Sequence, residues 1–333
     1  MRETYQILRI THHASRIMNP NLFSADTLTS CIRPYLPGID KKPTFTPIPT
    51  GKFNTSYFVQ VDGQEFVLRI APPKDVVFVF YERNMMWQEP GIHSFLLQYT
   101  SVPVAKILVF DDSHRKLPRD FILMERLPGE PLSSTLFVDQ EQVLRQVGTA
   151  LAQTHQLTKE QYGYVGEHTP MLPQPTWIEA FQIMWHKLIE NVATVGYYSD
   201  EECHWLLKLL ERHLPLFNRE VPASLLHMDV WGQNILVDSI GNLTGLVDWD
   251  RALWGDPEIE FAVLDYCGIS QSAFWEGYGQ ERDQSNAAQI RNLFYLLYEL
   301  QKYIVIRHGR NHDPASARQY KQQVVQLVRR YFT

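Results

Sequence analysis

The sequence predicts an α+β protein, with a small β-rich lobe first and a larger helical lobe after it. Three observations carry this. Residues 44 to 124 read as strands and turns with one helical insert. After about residue 139 the apolar spacing is mostly helical. Two short apolar runs interrupt those helices, and each ends in acidic residues.

Residues 24 to 36 predict a helix: Ser24 is a natural N-cap, Leu28, Ile32 and Leu36 share a face, and Pro37-Gly38 ends it. TSYFVQV and QEFVLRI alternate around Asp62-Gly63, a two-residue hairpin signal. Residues 76 to 98 are expected to be helical in part, broken at Pro90. VPVAKILVF and RDFILMERL read as two more strands, and a five-stranded antiparallel sheet with one helix is the simplest assembly. The second half predicts helices near 140–156, 176–194, 200–213, 257–267, 286–308 and 314–331. The expected division is an extension with a helix over 1–43, a β-rich lobe over 44–124, a crossing segment over 125–131 and a helical lobe over 132–333.

The chain of 333 residues is long enough for a full core without staples. An apolar share of 44% with 20% charged residues excludes wholesale disorder and fibrous repeats. The net charge of −6 argues against a dedicated nucleic-acid binder. Cys31, Cys203 and Cys267 have neither a zinc spacing nor the even count of a disulfide framework, which points to a reducing compartment. No apolar stretch approaches the ~18 to 20 residues of a membrane helix, and the N-terminus has no signal-peptide pattern. The expectation is a cytoplasmic protein with no membrane or nucleic-acid partner.

Residues 224 to 250 carry the chemistry. HMDVWGQN sets His227, Asp229 and Asn234 on one short loop, and Asp248 and Asp250 follow as DWD. Carboxylates and an amide at the ends of short strands suit a hard cation such as Mg²⁺. An acid left off the metal can take a proton from a hydroxyl. Phosphoryl transfer from a Mg-nucleotide needs that combination. No Walker A loop, G-x-S-x-G elbow, H-E-x-x-H or G-x-G-x-x-G is present, so P-loop, α/β-hydrolase, zincin and Rossmann readings lose their support.

HMDVWGQNILV, then LVDWD, then GDPEIEFA resembles the aminoglycoside phosphotransferase and choline-kinase-like family of small-molecule kinases. PTGKFNTSYFV resembles its nucleotide loop, FVLRI its third strand, ILMERLPGEPL its hinge and ALAQTHQL the first helix of its large lobe, and the details are most similar to the hygromycin-type branch. The resemblance implies a protein-kinase-like two-lobe fold. It implies transfer of the γ-phosphoryl group of ATP, or GTP, to a small-molecule hydroxyl with Mg²⁺. An aminoglycoside-like acceptor leads; choline, a fructosamine, homoserine or a sugar is the alternative, and a non-catalytic kinase-like binding protein is the rival outside enzymes.

The implied roles follow by position. Asp229 is the base, and Asn234 and Asp248 bind Mg²⁺. Gly51, Asn54 and Ser56 lie in the loop that closes over the phosphates. Arg69 holds the phosphates and Glu89 pairs with it, with Glu82 as the competing partner. Main-chain groups of Glu125 and Leu127 grip adenine beside Met124. His227 and Trp249 are structural at the site. Asp250 and Glu260 are candidates for substrate contact. The acidic residues Asp229, Asp248, Asp250, Glu258 and Glu260 lead to the expectation of a cationic acceptor. Three departures stand out: Arg69 replaces the protein-kinase Lys, Gly51 is the only glycine of its loop, and Asp250 stands where protein kinases have Gly.

Overall fold

The computed structural model describes residues 23–38, 40–49 and 53–332. Helix α1 (Ala25–Ile32) starts where Ser24 accepts the Thr27 N–H. Strands β1 (Thr44–Pro47), β2 (Thr55–Val61) and β3 (Gln64–Ile70) follow, then α2 (Glu89–Tyr99), β4 (Ile107–Asp111) and β5 (Phe121–Glu125). The five strands form one antiparallel sheet in the order β1-β2-β3-β5-β4. The tight turn between β2 and β3 works because Asp62 and Gly63 both take left-handed backbone, at φ 51° and 78°. Residues of α1 belong to this lobe: Leu28, Cys31 and Ile32 bury against Tyr57, Val59 and Leu68 of the sheet.

Two expectations for 76 to 98 change. Residues 74–84 are not helical. Here the chain leaves the small lobe, and Val79 and Tyr81 bury in the core of the helical lobe. Pro90 does not break a helix; it sits in the first turn of α2, where its missing N–H is no loss.

The second lobe begins with β6 (Glu130–Pro131), α3 (Gln140–His155), β7 (Thr158–Lys159), α4 (Trp177–Thr194) and α5 (Asp200–His213). Strands β8 (Ala223–Leu226), β9 (Ile235–Val237), β10 (Leu243–Leu246) and β11 (Leu253–Gly255) come next. They form two small antiparallel sheets, β10-β9-β6 and β11-β8-β7. Helices α6 (Pro257–Cys267), α7 (Ser272–Tyr278), α8 (Asn286–Gly309) and α9 (Pro314–Phe332) close the chain. The α7 segment, only two turns long, was not expected. It packs so closely on α3 that a Cβ at Gly277 would stand 1.9 Å from the Arg145 carbonyl oxygen. No helix among the described residues is long and apolar enough to cross a membrane.

Candidate active site

Strand β8 leads into the loop that holds the Asp229 carboxylate. His227 is fully buried: its Nδ1 accepts the Asp229 N–H at 3.3 Å, so its Nε2 carries the proton and donates to the Val247 carbonyl at 3.0 Å. Met228 adopts left-handed backbone at φ 65°, which costs roughly 1–2 kcal/mol in a non-glycine residue. Glu260 holds it there, because its Oε1 accepts the Met228 N–H at 2.5 Å. The other oxygen of Glu260 takes His155 Nε2 at 2.7 Å, and His155 Nδ1 takes the Tyr278 hydroxyl at 2.8 Å. Glu260 is therefore a brace behind the loop, fully buried and outside the cleft, and not a substrate contact.

Asn234 turns back on the same loop. Its amide nitrogen donates to the Asp229 carbonyl at 2.9 Å and to the Asp229 carboxylate at 3.2 Å. That leaves its amide oxygen free of these two bonds. Asp248 follows β10 with left-handed backbone, φ 72°, and its side chain remains 37% exposed. Trp249 beneath it is wholly buried, donates to the Leu246 carbonyl and lies 4.3 Å from the His227 ring centre.

The small lobe meets these groups through Arg69. One guanidinium nitrogen donates to Glu89 at 2.6 Å; the other reaches Asp248 at 2.6 Å and Asp250 at 3.0 Å. Burial opposes the Arg69 charge, but Glu89, Asp248 and Asp250 together hold it protonated above its ordinary range. Glu82 pairs elsewhere, with Arg310, and its carboxylate also accepts the Val79 N–H. Burial first, then the charge of Asp248, pushes the Asp250 carboxyl well up, with Arg69 opposing. Asp250 also accepts from the Asn54 amide at 3.2 Å.

All of this opens on one cavity between the lobes, of ≈ 550 Å³. Its lining includes Asn54, Ser56, Arg69, Met124, Glu125 and Leu127 from the small-lobe side and Asp229, Asn234, Asp248 and Asp250 from the helical lobe. Glu125 lends its N–H to the Lys106 carbonyl at 3.0 Å. Gly51 lies outside the described residues, as do residues 1–22 of the expected extension.

Sequence reasoning missed the partner of Asp229. Arg251 Nη1 is 2.5 Å from Asp229 Oδ1, and its other terminal nitrogen is 3.7 Å from Glu299, which also pairs with Lys302. Burial alone would raise the Asp229 carboxyl; Arg251, then Lys302, more than reverse this, and it lies below the usual carboxylate range. The signal was present in α8: Glu299, Lys302, Tyr303, Ile306, Arg307 and Arg310 recur every three or four residues on one face. Of the acidic residues expected to attract a cationic acceptor, Asp229, Asp248 and Asp250 line the cavity, and Glu258 and Glu260 do not. Glu258 is turned into Arg291 and Arg219, and Glu260 into His155, while Arg251, Lys302, Arg307 and Arg310 line the cavity.

No group of three or more His, Cys, Asp or Glu side chains among the described residues forms a metal cage. The oxygens of Asn234 and Asp248 fit a cation that completes its shell with water and phosphate.

Comparison with known proteins agrees with this architecture. A family model described as the phosphotransferase enzyme family matches residues 44–293. The probable ketoamine kinase of Vibrio parahaemolyticus is 26% identical over 198 residues, 54% of this chain; the match spans 61% of that relative's length. A protein from Haemophilus somnus assigned as a fructosamine-3-kinase superposes with a TM-score of 0.64 at 16% identity, covering 86% of this chain and 91% of its own. A thermostable mutant of aminoglycoside phosphotransferase APH(4)-Ia, in a ternary complex with AMP-PNP and hygromycin B, gives 0.64 at 17% identity, covering 90% and 98%. The fold is thus the protein-kinase-like α+β fold of these kinases.

Proposed function

Since the chain belongs to the phosphotransferase enzyme family, we propose that it moves the γ-phosphoryl group of ATP to a hydroxyl of a small molecule. The observation that carries this is the meeting of Asp229, Asn234, Asp248 and Arg69 in one interlobe cavity. AMP-PNP in the APH(4)-Ia complex supports nucleotide use, with GTP as the alternative donor. The reading includes a cytoplasmic setting, where the free thiols of Cys31, Cys203 and Cys267 stay reduced.

The base enters beside Met124, toward the Glu125 carbonyl and the Leu127 N–H. Arg69, held by Glu89, meets the phosphates from β3, and Asn54 and Ser56 approach from the loop side. Asn234 and Asp248 would hold Mg²⁺, which when bound neutralises phosphate charge. The acceptor oxygen forms a bond to the γ-phosphorus, the bond from that phosphorus to the bridging oxygen breaks, and ADP leaves. Asp229 accepts the hydroxyl hydrogen bond and then the proton. Positioning and electrostatics supply most of the rate in such a loose transition state.

An aminoglycoside acceptor is supported by likeness to APH(4)-Ia, and a ketoamine by the Vibrio relative. Titration of Mg²⁺ and ADP by calorimetry, wild type against Asp248→Ala, tests the reading. Metal-dependent ADP affinity in the wild type and its loss in the variant are expected; equal affinity in both would defeat the ligand assignment.

A further inference from the structure

Beyond Asp229, the cavity is walled by the polar face of α8 and by Arg251. Lys302 is 1% exposed there. Its ammonium has three donors; among the described residues its one hydrogen bond goes to Glu299, and its other contact is the Tyr303 ring at 4.6 Å. Arg251 is similarly under-used. Its Nη1 reaches Asp229, its Nη2 stops 3.7 Å from Glu299, and its Nε has no partner. Two cations share the Glu299 carboxylate of α8, whose Oε2 has no hydrogen-bond partner, and Arg251 Nε is buried without an acceptor. Such donors are costly to bury unmatched. Arg307 and Arg310 line the same wall, and Arg310 is paired with Glu82.

We propose that the acceptor carries an oxyanion, a carboxylate or a phosphate, in addition to its reacting hydroxyl, and that Lys302 and Arg251 bind it. This rests on the kinase reading and narrows its substrate class. An ammonium-rich acceptor would meet Lys302 and Arg251 as like charges. Asp229 and Glu82 already have cationic partners, and Glu299 pairs with Lys302 through Oε1. An oxyanion supplies the missing acceptors, and charge-assisted bonds of this kind are among the stronger polar contacts.

The test measures ADP release from Mg-ATP with four acceptor sets built on D-gluconate, D-glucose 6-phosphate, the neutral D-glucitol and the cationic hygromycin B. The expected result is kcat/KM at least tenfold higher for the gluconate or the phosphate set than for glucitol, the two anionic arms telling carboxylate from phosphate. Lys302→Met should raise KM for the favoured anion about tenfold, and Lys302→Arg should recover part of it. Should Lys302→Met fail to fold, Glu299→Gln with Lys302→Met removes the buried pair together. The inference is overturned if glucitol or hygromycin B matches the anionic sets, if neither anionic set is phosphorylated, or if the preference survives loss of Lys302. Mg-ADP calorimetry keeps the two readings apart: nucleotide binding with the wrong acceptor preference defeats this inference alone. Absence of both nucleotide binding and ADP release defeats the kinase reading as well.

Discussion

Arg251 Nη1 lies 2.5 Å from Oδ1 of Asp229, although 22 residues separate them in the chain. Asn234 holds the other carboxylate oxygen at 3.2 Å. The carboxylate is thus aimed from one side and charged from the other. Burial by itself would make Asp229 harder to ionise; Arg251, the largest opposing influence, favours the carboxylate.

For Asp229→Asn the expected outcome is near-normal Mg-ATP affinity with a large fall in kcat. Asn still hydrogen-bonds but takes no proton. Positioned acid–base groups contribute about 10²–10⁴-fold, and a loose transition state favours the lower end. Steady-state kinetics with the best acceptor checks it; a kcat within about threefold of wild type would mean Asp229 serves only the loop.

Arg251→Met should move the acid limb of the rate profile. With Arg251 present, Asp229 titrates below the usual carboxylate range, so kcat/KM should hold down through that range. Without the guanidinium, burial is unopposed by its largest partner, and the limb should shift upward in pH. The same linkage acts on stability: a lowered carboxyl contributes above its unfolded pKa and loses that contribution as pH falls through its folded value. An unmoved limb in a pH series would show that another group controls it.

Asp250→Asn tests the opposite sign. Its carboxyl is raised by burial and by Asp248, so the folded state binds the proton more tightly than the unfolded chain. This contribution is greatest at acid pH and declines as pH rises above the unfolded value toward the folded one. Removing the charge should flatten that decline and leave the melting temperature at pH 8 equal to or above wild type. Melting curves from pH 5 to 8 measure this, and a drop of several degrees at pH 8 would show that the Arg69 contact outweighs the burial cost.

Glu260→Ala should destabilise the protein by about 2–4 kcal/mol, because it strips partners from the buried Met228 N–H and from His155. Chemical denaturation reads the loss. Acceptor KM should change little at temperatures where the fold is intact; a KM effect without a stability effect would return Glu260 to the substrate pocket.

Local signals explain what was legible beforehand. Asp62-Gly63 specifies its turn because only certain residues tolerate positive φ. Ser199 and Glu202 close a capping box at the start of α5, the helix expected at 200–213. The spacing of Asp229, Asn234 and Asp248 was enough to expect them together, and all three line the one cavity, since the loop and hairpin between them are short. Each of these depends on residues close together in the chain.

Distant pairings had no such trace. Glu260 and Glu258 follow the DWD closely, yet the course of α6 turns one toward His155 and the other toward Arg291, 105 and 33 residues away. Residues 76 to 84 carry enough apolar side chains for a helix, but Val79 and Tyr81 find their core in the other lobe. The stripe from Glu299 to Arg310 has helical spacing in the sequence. Only the packing of α8 beside Arg251 turns that spacing into a cationic wall facing Asp229. Sequence sets backbone preference and amphipathic period; which charges meet is decided by burial, because an unpaired charge inside the protein costs too much to leave where chain order alone would put it.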